Sequence, residues 1–121
     1  MIGRRLLLAA ALAGAARISR AAADELEQAR IDRLIRFVET RKQMVFVRNG
    51  KDHSCREAAM FLRAKYAKLG EHVTTAAQFI YQIASRSSTT GEPYKVRFAD
   101  GRTLPAAKVL REELSRMDRE R

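Results

Sequence analysis

His53 and Cys55 stand two residues apart, and a thiol beside an imidazole is the pair from which cysteine hydrolases and transferases build a nucleophile. A thiol at a helix N-terminus also has its thiolate stabilised. The periodicity around it argues for a different role. Cys55 falls on the same helical face as Ala59, Leu62 and Tyr66, which is the position of a small buried hydrophobe. A second group of residues suits recognition better than catalysis. Arg48-Asn49-Gly50 joins a guanidinium to a turn that exposes backbone amides, and Arg86-Ser87-Ser88-Thr89-Thr90-Gly91 supplies hydroxyls and another guanidinium. If the fold brings these stretches together with Tyr94, they can hold a carboxylate, a phosphate or a sulfated sugar. Taken singly, each is ordinary turn chemistry.

A third set is basic. Arg33, Arg36, Arg63, Lys65 and Lys68 make a candidate nucleic-acid face, with Tyr94 as a stacking platform. That reading requires a chain that keeps its N-terminus and stays in the cytosol. One cysteine and two histidines exclude an intramolecular disulfide and cannot supply an ordinary structural zinc site. No Gly-rich nucleotide loop, Ser-His-Asp signature or pair of catalytic carboxylates stands out. The sequence therefore names no catalytic residue, metal or cofactor and leans away from an enzyme.

The 121 residues, 46% of them hydrophobic, suit one domain with a single core. Met1 to Ala23 has the three-part layout of a secretory signal: Arg4-Arg5, then the apolar run Leu6 to Ala16, then Ala21-Ala22-Ala23. The run is well short of the ~20 residues that span a bilayer, so no transmembrane anchor is expected after cleavage. The paired arginines, and Arg17 and Arg20 beyond the run, hint at the twin-arginine route. The expected location is periplasmic or secreted. The segment holds four arginines and no acid, so its removal lowers the formal charge from +10 to +6, which still favours an anionic partner.

The elements that would position these residues follow from spacing. Ile31, Leu34, Ile35 and Val38 predict a first helix, opened by Asp24, Glu25 and Glu27 and closed by Arg41 and Lys42. Met44 to Val47 reads as a strand ending at Arg48, followed by the Asn49-Gly50 turn. Ser54 with Glu57 is a capping box for a helix carrying Cys55, Ala58, Ala59, Leu62, Tyr66 and Leu69 inward and stopped by Gly70. Thr75 with Gln78 opens a third helix, with Ala76, Phe79, Ile80 and Ile83 inward. Tyr94, Val96 and Phe98 alternate with Lys95 and Arg97, and with Thr103-Leu104 they predict a hairpin around Asp100-Gly101. Pro105 is suited to start the last helix, whose inward stripe is Ala106, Leu110, Leu114 and Met117. The expectation is an α+β domain over residues 24–117, with a frayed tail over 118–121. Four helices, in the order α-β-α-α-β-β-α, would pack on a small, mostly antiparallel three-stranded sheet.

From about Ile31 to Met117 the chain resembles a family of small bacterial exported proteins described as a domain of unknown function. The resemblance rests on Phe46-Val47-Arg48-Asn49-Gly50, on Ala58-Ala59 with Leu62 and Lys65, and on Phe79-Ile80 through Ile83-Ala84-Ser85. Ser87-Ser88 with Gly91, Pro93 and Tyr94 completes it. It implies an exported α+β domain and no activity. Family members often carry a cysteine just before the Phe-x-Arg-Asn-Gly strand and a tryptophan in the last helix, where this chain has Met44 and Lys108-Val109. The expected function is a non-enzymatic periplasmic module binding a protein partner or an anionic envelope ligand through Arg48, Asn49, Gly50, Arg86, Ser87, Ser88 and Tyr94.

Overall fold

The computed structural model describes residues 24–120; the expected signal over residues 1–23 lies outside the described residues. Strands β1 (Val45–Arg48) and β2 (Lys51–His53) flank the two-residue turn Asn49-Gly50, whose φ angles are 52° and 76°. Positive φ at both turn residues is type I′ geometry, which matches the twist of paired strands and which Asn-Gly adopts at little steric cost. The turn is thus a hairpin, and the expected three-stranded sheet has four strands. Lys51, Asp52 and His53 carry no apolar alternation to announce a strand, and they form an edge paired with β1 alone.

Strand β3 (Lys95–Arg97) pairs with the other side of β1, and β4 (Thr103–Pro105) pairs with β3, giving the antiparallel order β2-β1-β3-β4. Phe46 lies opposite His53 on one side and Val96 on the other, and Val96 lies opposite Leu104. The pleat therefore puts these four on one face, toward the helices, and Val45, Asp52 and Arg97 on the other. On that outer face Arg97 reaches across β1 to Asp52.

Helix α1 (24–40), helix α2 (Cys55–Leu69), helix α3 (Ala76–Gln82) and helix α4 (Ala106–Arg119) complete an α+β domain with four helices; a 3₁₀ turn, Gly70–His72, follows α2. The apolar stripe of α1, Ile31, Leu34, Ile35 and Val38, is buried in one cluster with Ala59 and Leu62 of α2, Phe79 and Ile80 of α3, and Leu110 and Met117 of α4. Each such aliphatic side chain contributes roughly 1.5–3 kcal/mol by leaving water. A smaller cluster, Val96, Ala106 and Val109, packs with Phe46 and Leu104 beneath the sheet.

Capping follows the expected box at Ser54, whereas at Thr75 the hydroxyl caps the helix and the Gln78 side chain accepts from Thr74 N instead. Ser54 Oγ accepts from Glu57 N at 3.1 Å and the Glu57 carboxylate accepts from Ser54 N at 3.0 Å, while Thr75 Oγ1 accepts from Gln78 N at 3.1 Å. A longer-range cap was not legible locally. Glu27 of α1 accepts from Ala76 N at 2.9 Å and pairs with Arg30 at 2.8 Å, and Arg30 in turn holds Asp118 of α4 at 2.8 Å. That chain of contacts pins three helices together and carries α4 past Met117 to Arg119.

Two expectations of detail change. Pro105 ends β4, opposite Lys95, with ψ of 135°, and the helix begins after it at Ala106. Leu69 is 48% exposed, because the chain turns away at Gly70, where a Cβ would lie 2.3 Å from Tyr66 Cδ1. Among the described residues no helix is long and apolar enough to cross a membrane.

Candidate functional site

The two polar stretches singled out in the sequence meet. Asn49 donates from Nδ2 to Ser87 Oγ at 3.3 Å and accepts at Oδ1 from Thr90 Oγ1 at 2.6 Å, so one carboxamide ties the β1–β2 turn to the loop before β3. Ser87 is buried, and its Oγ also accepts from Thr89 N at 3.3 Å and Thr90 N at 3.4 Å. Its backbone N–H donates to Glu92 O at 2.9 Å and its carbonyl accepts from Gly91 N at 3.0 Å. The Ser87 hydroxyl is therefore occupied within the chain and shapes the loop.

Helix α2 runs beside this junction and supplies the residues that complete it. Arg48 stacks its guanidinium 4.4 Å from the centroid of the Phe61 ring. Lys65 donates to Arg86 O at 2.7 Å and to Tyr94 Oη at 3.2 Å, which leaves one of its three N–H donors for an external acceptor. Lys68 lies one helical turn further along α2, on the same open groove of about 380 Å³, which Ser88, Thr89 and Tyr94 border from the loop side. Among the described residues no carboxylate lies within ion-pairing distance of Arg48, Lys65 or Lys68.

Beneath the groove is a small apolar slot of about 50 Å³ between β1 and α2, floored by Phe46, Ala58, Leu62, Ala84 and Ala106. Arg48, Phe61, Lys65 and Tyr94 border both spaces, so the cations stand at the mouth of the slot. His53 closes one side, its ring edge-on to Phe61 with centroids 4.9 Å apart. An apolar recess with cations and hydroxyls at its rim can take an anion attached to a small apolar group.

Of the seven residues proposed from sequence, Arg48, Ser87, Ser88 and Tyr94 border the groove. Asn49 and Gly50 form the turn behind it, and Arg86 contributes its carbonyl to Lys65 while its side chain stays outside the lining. Sequence reasoning missed Phe61, because position 61 falls off the inward stripe of α2. It placed Lys65 and Lys68 in the basic face, and the signal that could have moved them was their spacing from Phe61 on one side of a helix.

The basic face itself is largely neutralised. Arg33 pairs with Glu120 at 3.6 Å, Arg36 with Asp32 at 2.9 Å, and Arg63 with Glu39 at 2.8 Å. The Arg63 hydrogen bond holds the Glu39 carboxyl below its ordinary range. Cys55 is buried, and among the described residues no hydrogen bond joins it to His53, whose Nδ1 instead faces Glu57 at 3.9 Å. The thiol is thus buried, while the imidazole borders the slot. Among the described residues no cluster of His, Cys, Asp or Glu could hold a metal ion.

The chain belongs to a family of unknown function, DUF5329, whose model matches residues 25–118. It is similar to the uncharacterised protein YfeK of Salmonella typhimurium (strain LT2), 44% identical over 68 residues that make up 56% of this chain and 57% of YfeK, so the chain spans little more than half the length of that relative. No solved structure matches the chain.

Proposed function

We propose that this chain is a non-enzymatic binding module, exported to the periplasm, that takes an anionic ligand in the groove between α2 and the Arg86 to Tyr94 loop. The observation that carries this reading is the set of three cations, Arg48, Lys65 and Lys68, that border one groove with no carboxylate within ion-pairing distance among the described residues, Arg48 and Lys65 also standing at the mouth of the apolar slot. Several arginines elsewhere on the molecule are paired, for example Arg36 with Asp32 and Arg102 with Asp100. Export rests on the layout of residues 1–23 and favours an envelope component as the ligand. An anionic ligand is preferred to a protein partner because the site is a recess with its own hydroxyls, while a flat apolar patch would suit a protein.

Calorimetric titration with inorganic phosphate at fixed ionic strength tests the site. Removing one cation, in Arg48→Gln or Lys68→Gln, is expected to weaken binding about fivefold, which is ~1 kcal/mol. Arg111→Gln, which removes a cation from a separate surface of α4, is expected to leave it unchanged. Equal losses in all three variants would mean that phosphate answers to overall charge, and the groove would lose its claim.

A further inference from the structure

Resting on that reading, we infer that the ligand is a small organic carboxylate without an ammonium group, whose short carbon stub fills the slot while the carboxylate meets Arg48 and Lys65. The size comes from the cavity. At ~10–15 Å³ of such volume per water-sized group, the slot of about 50 Å³ holds about four groups, each the size of a methylene. A lipid acyl chain is several times too long, and a bare anion leaves the slot unfilled.

The chemistry comes from what surrounds it. Phe46, Ala58, Leu62 and Ala84 offer the stub no hydrogen-bond partner, so an ether or ester oxygen there would be buried without compensation. A phosphate ester carries such an oxygen next to its charge, whereas a carboxylate joins its charge directly to carbon. The planar guanidinium of Arg48 offers a paired donor edge that matches the two carboxylate oxygens, and the spare Lys65 donor stands beside it. An amino acid would bring its ammonium against the same cations, so a 2-amino group counts against binding.

Sodium salts of acetate, butyrate, pentanoate and octanoate, together with 2-aminobutyrate, titrated into the full-length chain at fixed ionic strength, test the inference without altering the protein. Affinity is expected to rise about fourfold per added CH₂, the equivalent of ~0.8 kcal/mol, up to pentanoate and to gain nothing at octanoate. 2-Aminobutyrate is expected to bind more weakly than butyrate. Nuclear Overhauser contacts from the ligand methyl to Ala58, Leu62 and Ala84 should accompany binding. Equal affinity for acetate, butyrate and phosphate would overturn the inference and leave the anion site standing. A steady rise through octanoate, with contacts only to Leu69, would mean adsorption to the surface and would also overturn it. No binding by any of these anions, phosphate included, would remove both the inference and the site.

Discussion

At Asn49 a single carboxamide uses both of its ends, donating to Ser87 and accepting from Thr90, while its backbone sits at a positive φ that asparagine tolerates better than most residues. Asn49→Ala removes both bonds and places a less suitable residue in the turn. Urea unfolding should show a loss of about 1–2 kcal/mol, from hydrogen bonds worth ~1 kcal/mol each. A loss near zero would mean that the turn and the loop meet without depending on each other. Cys55 poses the opposite question, since its interest lay in reactivity. A buried thiol should react with a neutral-pH thiol reagent only as fast as the chain opens, and urea should accelerate the labelling. Rapid labelling of the folded protein would restore the nucleophile reading.

Among the elements, what the sequence made legible was local. The capping box at Ser54 and the N-cap at Thr75 sit where Ser-x-x-Glu and Thr-x-x-Gln predicted a helix start, and the stripe Ile31, Leu34, Ile35, Val38 announced α1. Strand β2 was hidden because three polar residues at a sheet edge need no apolar face; their partner is backbone. Phe61 was hidden for a related reason. It is 38% exposed and finds its place by stacking with Arg48 and His53, contacts that depend on β1 and β2 reaching α2. The convergence of the Arg48 turn with the Ser87 loop likewise spans 38 residues, a separation that no local pattern encodes. Because α2 carries half the rim of the groove, its stability bears on binding. Ser54→Ala should cost about 1 kcal/mol by thermal or urea unfolding. It should leave the groove intact in the molecules that remain folded, so a loss of anion affinity at full folding would show that the cap does more than start the helix.

Across the described residues, several carboxylates are tied to arginine. Arg116 holds the buried Glu113 below the ordinary carboxylate range, and Arg97 and Arg63 do the same for Asp52 and Glu39. A carboxylate whose folded value is depressed contributes stability above its unfolded value and loses it as pH falls through the folded one. The urea midpoint should therefore stay flat from about pH 7 to pH 5 and fall below the ordinary carboxylate range near pH 4. Glu113→Gln should make that fall shallower, and a midpoint that rose on acidification would contradict the scheme. What sets Arg48, Lys65 and Lys68 apart is that they border one groove, and that groove is proposed to receive an anion. The most direct test of this proposal is a ¹H–¹⁵N chemical-shift map of the full-length chain titrated with inorganic phosphate at fixed ionic strength. Saturable shifts gathered at Arg48, Phe61, Lys65, Ser88, Thr89 and Tyr94 are expected. Shifts that never saturate, or that spread evenly over Lys42, Lys95 and Arg111, would contradict it.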